Sequence, residues 1–160
     1  MFELEDTHRA FESAVRSWCE RELAPAVPAM EGGEVLPYPL LKRFARELGI
    51  AEVLAASAER RLAKLRRGAT PASEPQPTRD GDGEGSGLGG DPLLTSVLFK
   101  EICRISPGFG MVLMATLGCG MTILARGSAD LIERYALPIL RFEKIGAWAL
   151  TEPEAGSDAF

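Results

Sequence analysis

The sequence predicts an all-α fold of five or six helices, followed near its end by a single apolar β-strand. Apolar side chains recur at helical spacing through most of the chain, and capping or terminating residues stand at several segment ends. Only residues 145–151 mix β-branched and aromatic residues in a short run typical of a strand. Because no second strand is predicted to pair with it, we expect the chain to be the front of a longer protein.

Composition limits the class of protein. The 160 residues suffice for one domain, and 46% hydrophobic with 26% charged residues is typical of soluble globular proteins. The net charge of −5 favours neither nucleic acid nor an anionic membrane. Three cysteines without a CxxC motif, Cys19, Cys103 and Cys119, are predicted to be reduced thiols. The acidic start resembles no secretory or mitochondrial signal, so we expect a cytoplasmic location.

Two helices are predicted in the first fifty residues. The first covers about 6–23 and is expected to end at Pro25 and Pro28. The second ends where Gly49 suits a left-handed residue, with Ile50 making the accompanying apolar contact. The residues predicted to form core rather than to contact a ligand are Trp18, Leu40, Leu41, Phe44 and Leu48.

A third helix is predicted over about 51–67. Its inward residues are Val53, Leu54, Leu62 and Leu65. Its outer side carries five basic residues, namely Arg60, Arg61, Lys64, Arg66 and Arg67. This face is either an anion patch for a phosphate tail or partner, or a solvated basic face; the second interpretation is preferred because charge runs usually are solvated.

Residues 68–90 differ sharply in composition from their flanks. Glycine, proline, serine and acids dominate, so the segment buries too little surface to offset its ordering entropy, and we predict flexibility or disorder. It is either a surface excursion or a join between two subdomains. The excursion is preferred, because neither flank is able to bury its apolar stripe alone.

Helical order is predicted to resume at Asp91, a good N-cap followed by Pro92, and to stop at residues 106–108. Residues 109–125 are apolar on all sides, which predicts a central, buried helix rather than a membrane span of ~20 residues. Glycines at 108, 110, 118 and 120 require a close neighbour, either another helix or a flat ligand.

A last helix is predicted to begin at the N-cap Ser128. Leu131, Tyr135 and Ala136 are expected to point inward, and Pro138 to close or bend the helix. The single histidine, His8, is predicted to be a solvated helix residue rather than a metal ligand or general base, because no second ligand lies near it in sequence. No metal site is expected.

The segment after this helix carries the strongest functional signal. A short apolar strand delivers the hydroxyl of Thr151, Pro153 stands between two glutamates, and small residues follow at 155–157. Small residues allow a ligand to approach the main chain closely. This pattern suits a large polar ligand with anionic groups.

Residues 148–158 read WALTEPEAGSD, which resembles the signature segment of the acyl-CoA dehydrogenase family. Shorter stretches at 22–25, 46–50, 127–128 and 135–138 resemble that family in the same order. The resemblance implies an N-terminal orthogonal helical bundle at 1–143, containing the 68–90 insertion, and the start of a truncated middle β-domain at 144–160.

Two departures from the family pattern are visible. The 68–90 segment replaces a short Pro-x-x-Gly-Gly-x-Gly passage, and residues 141–144 lack the small glycine that many members place before Glu-Lys. The catalytic carboxylate of the family is expected beyond Phe160. None of the acids in this chain is therefore assigned a catalytic role.

The resemblance implies an FAD-dependent oxidoreductase of lipid metabolism and fatty acid β-oxidation, acting on an acyl-CoA. The residues implied to bind FAD are Trp148, Ala149, Leu150, Thr151, Gly156 and Ser157. Ser157 is also implied to contact the acyl-CoA substrate. Trp148 has core packing as its alternative, and Glu152 and Asp158 are interpreted as turn-stabilising acids.

The implied partners are an electron-transfer flavoprotein as electron acceptor and further copies of the full-length chain in a homo-oligomer. An acyl-CoA oxidase or flavin monooxygenase would share the same signature. The alternative from another class is a truncated, non-catalytic helical module that binds a partner.

Overall fold

The computed structural model describes residues 3–68, 88 and 90–156, and this part of the chain is mostly helical. The elements are α1 (Asp6–Trp18), a π-helical turn (Cys19–Leu23), a 3₁₀ turn (Ala24–Ala26), α2 (Val27–Glu31), α3 (Tyr38–Glu47), α4 (Ile50–Arg66), α5 (Pro92–Ile105), α6 (Pro107–Arg126), α7 (Ala129–Leu131), a second π-helical turn (Ile132–Ala136) and α8 (Leu137–Leu140). Within these ranges no strand forms, and residues 145–151 have no regular secondary structure. The all-α prediction is confirmed, while the orthogonal arrangement, the strand and the domain division stay predictions.

The first helical segment continues past Pro25 and Pro28, where it was predicted to end. It begins at Asp6, as predicted, and helical chain continues through both turns to Glu31. Pro25 lies in the 3₁₀ turn and Pro28 in the first turn of α2, where a missing N–H costs no helical hydrogen bond. The predicted span of about 6–23 matches α1 with its π-helical turn, but the prolines do not stop the helical course of the chain, which continues to Glu31.

Three aromatic rings form the centre of the core. The rings of Trp18 and Phe44 meet edge to face with centroids 4.7 Å apart, and Phe44 and Phe109 do so at 6.1 Å. The indole Nε1 of Trp18 donates a hydrogen bond of 2.7 Å to Glu47 Oε2, so its polar atom is satisfied. Leu41 is also buried, while Leu40 and Leu48 are partly buried against this cluster. The predicted core role of these residues is confirmed.

Gly49 joins α3 to α4. Its φ of 69° is left-handed, its N–H donates to the carbonyl of Arg46 at 3.2 Å, and Ile50 beside it is buried. These features confirm the predicted end of the second helix. On α4 the inward residues are Leu54, Ala58 and Leu62, whereas Val53, predicted to point inward, is exposed.

Gly49→Ala is expected to lower the free energy of unfolding by about 1–2 kcal/mol, because an L-residue is strained at this φ. No atom lies within 4 Å of the position of the added β-carbon, so steric clash contributes nothing. Urea unfolding measures the change. The control is Gly108→Ala, whose β-carbon would meet only Ser106 Oγ at 3.9 Å. Equal losses in both variants would contradict the assignment.

Side-chain caps define the helices of the second half. Asp91 Oδ1 accepts from the N–H of Leu93 at 2.8 Å and starts α5, as predicted. Ser106 Oγ accepts from the N–H of Phe109 at 3.2 Å, so α6 begins at Pro107, immediately after α5 ends. In the 68–90 segment the structure describes only Gly68, Leu88 and Gly90, and the predicted flexibility falls on residues outside the described ranges.

The last helical segment turns a different face to the core than predicted. Ser128 Oγ accepts from the N–H of Leu131 at 3.4 Å, which confirms the predicted cap. Leu131 and Tyr135 are exposed, while Ile132 and Ala136 are buried. The inward prediction was wrong for Leu131 and Tyr135 and is confirmed for Ala136, because the stripe that packs against α4 and α6 is Ile132 with Ala136, one residue further along the chain.

The longest helix, α6, is long and apolar enough by length and composition to cross a membrane. It packs instead against α5, α8 and the π-helical turn between α7 and α8, with Phe109, Leu113 and Leu124 buried. A core helix passes the same test of length and apolarity. The burial prediction is confirmed for one face only, since Met111 and Met114 are exposed on another.

Candidate functional site

The end of α8 directs the chain toward the signature segment. The N–H of Phe142 donates to Ile139 O at 2.9 Å, and the N–H of Glu143 donates to Pro138 O at 2.9 Å. This pair of bonds is a Schellman ending with Phe142 at its left-handed position, φ 56°. Glycine is the residue favoured at such a left-handed position. Phe142 adopts this conformation although it is strained for a residue with a side chain. Its buried ring packs in the hydrophobic core.

Gly146 brings the segment into close contact with α6. A β-carbon at Gly146 would lie 2.8 Å from Cys119 Cβ and 3.2 Å from the carbonyl oxygen of Thr116. The buried Thr116 hydroxyl lies 3.4 Å from Gly146 O and donates a long hydrogen bond to it. Only glycine fits at this position without displacing the segment from the helix.

Trp148 lies over α6 two residues later. A β-carbon at Gly118 would be 3.1 Å from the indole Nε1 and 3.2 Å from Cζ2, so the ring covers this glycine directly. The side chain of Trp148 is 46% exposed. Trp148 therefore packs on the helix with one side and leaves another open to solvent, which is intermediate between the two predicted roles.

Beyond Trp148 the chain is open to solvent until it turns. Leu150 is 66% exposed, and Thr151 is exposed as well. Among the described residues, the main-chain N–H and C=O groups of 147–151 have no hydrogen-bond partner. Glu152 and Ala155 then close a turn, with the N–H of each donating to the carbonyl of the other at 2.8 and 3.3 Å.

Four of the six predicted ligand-binding residues form one continuous exposed strip, from Trp148 to Thr151, on the α6 side of the bundle. Gly156 returns close to Thr151, since a β-carbon there would lie 3.8 Å from Thr151 Cγ2. Ser157 and Asp158 lie outside the described residues. The strip can offer backbone donors and acceptors, one hydroxyl and one aromatic ring to a bound molecule.

Comparison with curated proteins gives relatives that cover nearly the whole chain. The mitochondrial short-chain specific acyl-CoA dehydrogenase of Mus musculus is 27% identical over 158 residues, 98% of this chain and 32% of that protein. The short-chain specific acyl-CoA dehydrogenase of Clostridium acetobutylicum is 36% identical over 77 residues, 48% of this chain and 20% of that protein. The chain is thus similar to acyl-CoA dehydrogenases along nearly its whole length.

A third relative is the Caffeyl-CoA reductase-Etf complex subunit CarC of Acetobacterium woodii, 39% identical over 75 residues, 46% of this chain and 20% of that protein. The chain spans between a fifth and a third of the length of these relatives. No family model matches the chain. No solved structure matches it either.

Tertiary contacts explain three of the four glycines of α6. A β-carbon at Gly110 would lie 2.8 Å from Cys103 Sγ on α5, and one at Gly120 would lie 2.8 Å from Leu140 Cδ2 on α8. Neighbouring helices therefore account for these two positions. Gly118 instead accommodates Trp148, a contact that neither predicted alternative included. Gly108 has no comparably close contact.

Sequence reasoning missed a buried ion-pair network between α1 and α5. Glu101 has 0% exposure, and both its oxygens accept from Arg16, at 2.9 Å each, with Arg104 Nε at 3.3 Å. The hydrogen bond from Arg16 is the main cause that lowers the pKa of Glu101 to about 2. The sequence did contain a signal for this network, because Glu101 lies on the apolar stripe of its helix, three residues after Leu98 and four before Ile105.

His8 is buried, so its predicted solvated position was wrong. Its Nδ1 accepts from the N–H of Glu5 at 3.1 Å, which leaves Nε2 as the nitrogen that donates to Asp91 Oδ2 at 2.8 Å. This contact lowers the pKa of Asp91. His8 thus joins the start of α1 to the start of α5. In the described ranges no group of three or more potential ligands is placed to hold a metal ion.

The basic face of α4 is partly used in ion pairs within the bundle. Arg66 Nη2 lies 2.6 Å from Glu133 Oε2, and Arg141 Nη2 lies 2.6 Å from Glu59 Oε1 beside this face. Arg60 and Arg67 border an open surface depression. Both interpretations of this face stay predictions.

The three cysteines are unpaired, and burial raises the pKa of the Cys19 thiol to about 11.

Proposed function

We propose that this chain is the front portion of an FAD-dependent acyl-CoA dehydrogenase that introduces an α,β double bond into an acyl-CoA thioester. The observation that carries the proposal is the exposed strip from Trp148 to Thr151, which has the family signature and main-chain groups free of partners among the described residues. Similarity to acyl-CoA dehydrogenases supports the general class of oxidoreductase.

The features of the strip fit a flavin. A planar ring system needs a flat support, backbone donors and acceptors at its edge, and no bulky side chain in its path. Trp148 offers the aromatic surface, Ala149 and Leu150 offer the main chain, and Gly156 adds no side chain at the turn. When bound, FAD supplies the chemistry by accepting the hydride from the substrate β-carbon.

The residues of this chain then bind and orient. We assign to Thr151 a hydrogen bond from its hydroxyl to the electron-accepting edge of the flavin, and to Ser157 contacts with FAD and with the acyl-CoA. No carboxylate of this chain is assigned the removal of the α-proton. We propose that a residue outside these 160 residues has that role, since the chain spans at most a third of the relatives reported above.

The proposed electron acceptor is an electron-transfer flavoprotein, supported by the name of one relative, which is a subunit of an Etf complex. The complete protein is proposed to act as a homo-oligomer in the cytoplasm. An acyl-CoA oxidase or flavin monooxygenase remains the alternative within the superfamily. Oxygen consumption during turnover, without any need for the flavoprotein, would identify either of them.

A second candidate applies to the 160 residues taken alone, namely a non-catalytic helical module that binds a partner. The short span relative to the relatives favours it for this chain by itself. The two candidates differ in whether the isolated chain can carry flavin.

The visible absorbance spectrum tests both candidates. We expect the purified 160-residue chain to hold little or no flavin, and the complete protein to hold FAD that a saturated acyl-CoA bleaches without oxygen. The bleaching occurs because the substrate hydride reduces the flavin. A complete protein without flavin, or one that no acyl-CoA bleaches, would refute the proposed activity. Stoichiometric flavin on the 160-residue chain would refute the module.

A further inference from the structure

We propose that Gly118 is a positioning residue for the signature segment. The missing side chain at Gly118 fixes where the Trp148 indole lies on α6, and the indole in turn fixes the main chain that leads to Thr151. The consequence for flavin chemistry rests on the proposed function, whereas the position of the indole does not.

A side chain at Gly118 would press on the Trp148 indole, which would have to move by a few tenths of an ångström. A β-carbon there would lie 3.1 Å from Nε1, 3.2 Å from Cζ2 and 3.4 Å from Cε2 of the indole. Ordinary carbon contacts lie at about 3.5–4.0 Å. All three atoms belong to one rigid ring, so a methyl group at Gly118 displaces the whole ring away from the helix.

The displacement cannot be absorbed before Trp148. Gly146 is held against Cys119 and the carbonyl of Thr116, with contacts of 2.8 and 3.2 Å at its β-carbon position. The Thr116 hydroxyl also bonds the Gly146 carbonyl. Only Ala147 separates this anchor from Trp148, so the chain upstream has little freedom to move.

The residues after Trp148 are free to follow the ring. Ala149, Leu150 and Thr151 are exposed, and in the described part of the chain their main-chain groups have no hydrogen-bond partner. A shift of the indole therefore passes to the strip that ends at Thr151. Gly118 thus acts on the site through Trp148, without itself contacting the reacting atoms.

The structural part is tested with Gly118→Ala in the 160-residue chain, with Gly108→Ala as its control. Both changes replace a glycine of α6 by a better helix former, but the β-carbon at Gly108 meets only Ser106 Oγ at 3.9 Å. Iodide quenching of tryptophan fluorescence reports Trp148, because Trp18 is only 2% exposed. We expect stronger quenching in Gly118→Ala, up to about twofold since Trp148 is already 46% exposed, and no change in Gly108→Ala.

The functional part is tested in the complete protein. We expect Gly118→Ala to slow flavin reduction at saturating acyl-CoA by about tenfold, because small misplacements of positioning groups cost large factors in rate. The flavin absorbance maximum should shift, which a loss of stability alone would not produce. In a Trp148→Phe background, where the smaller ring leaves space, Gly118→Ala should change the rate much less.

Each outcome decides a separate point. Equal quenching in Gly118→Ala and Gly108→Ala would overturn the positioning role, and so would an equal rate loss with and without Trp148→Phe. A wild-type complete protein that holds no flavin would refute the proposed function, and the quenching result would then still decide whether Gly118 positions Trp148.

Discussion

Glu101→Gln is expected to lower the free energy of unfolding at pH 7 by about 2 kcal/mol, the range for hydrogen bonds to a charged group. The buried carboxylate takes two hydrogen bonds of 2.9 Å from Arg16 and one of 3.3 Å from Arg104, and so links α1 to α5. Glutamine keeps the shape but removes the charge. The loss stays below the 3–5 kcal/mol of a fully buried pair, because both guanidinium groups are about half exposed and are rehydrated. Urea unfolding at pH 7 measures it.

The same carboxylate makes stability depend on pH in a defined window. Arg16 holds the pKa of Glu101 at about 2, below its ordinary value of 4.5. As the pH falls, the unfolded chain therefore binds this proton first, and the stabilisation is present above pH 4.5 and lost toward pH 2. Wild type should lose more stability than Glu101→Gln across this window. The pKa values of Glu22, Glu47 and Asp91 are also lowered, so a smaller decline remains in the variant.

Glu20→Gln is the matched control for this prediction. Glu20 forms an ion pair with Arg104 of the same network, with Oε1 and Nη2 2.7 Å apart. Because Glu20 is exposed to water, this ion pair contributes little to the free energy of unfolding. We expect a clearly smaller loss of stability at pH 7 than in Glu101→Gln. If the two variants lost equal stability, the burial of Glu101 would not be what makes its ion pairs important.

The sequence alone predicted those features of the fold that depend only on residues close together in the chain. The left-handed conformation of Gly49 was predictable because glycine adopts it without strain. The caps at Asp91 and Ser128 were predictable because their side-chain oxygens accept hydrogen bonds from N–H groups two or three residues later. The stripe with Leu41 and Phe44 follows from helical periodicity alone. Each of these predictions needed no knowledge of what packs against the helix.

Predictions failed where a distant element decides. In the last helical segment Leu131 with Tyr135, and Ile132 with Ala136, are both spaced four residues apart, so helical period does not decide which pair is buried; packing against α4 and α6 does. Glu101 and His8 are buried because Arg16 and Asp91 meet them across the bundle, 85 and 83 residues away. Gly118 was expected to face a helix or a ligand, and the contact with Trp148 depends on a segment that follows three further helical elements.

The candidate site was predicted from its signature in composition and order, but its geometry was not. Thr151 is exposed at the end of a strip without strand partners among the described residues. A β-strand needs a neighbouring strand, which the local sequence cannot supply. The strip is held in place from one side only, by the contacts of Gly146 and Trp148 with α6. Changes at Thr151 should therefore alter ligand contacts and leave the bundle intact.

Thr151→Val in the complete protein is expected to slow flavin reduction by about 10- to 100-fold. Valine keeps the branched shape and removes only the hydroxyl, which we assign to a hydrogen bond that strengthens as negative charge develops on the flavin. Each tenfold change corresponds to about 1.4 kcal/mol of lost transition-state stabilisation. Stopped-flow mixing with a saturated acyl-CoA without oxygen measures the rate.

Thr151→Ser completes the pair of variants, because it removes the methyl group and keeps the hydroxyl. Its reduction rate should stay within about threefold of wild type, since a hydrogen bond and not packing is assigned to this position. Both variants should unfold at the wild-type urea concentration, because Thr151 is exposed and has no hydrogen bond to any described residue. A slow serine variant beside a fast valine variant would show that the methyl group matters there, and would remove the hydroxyl of Thr151 from the proposed mechanism.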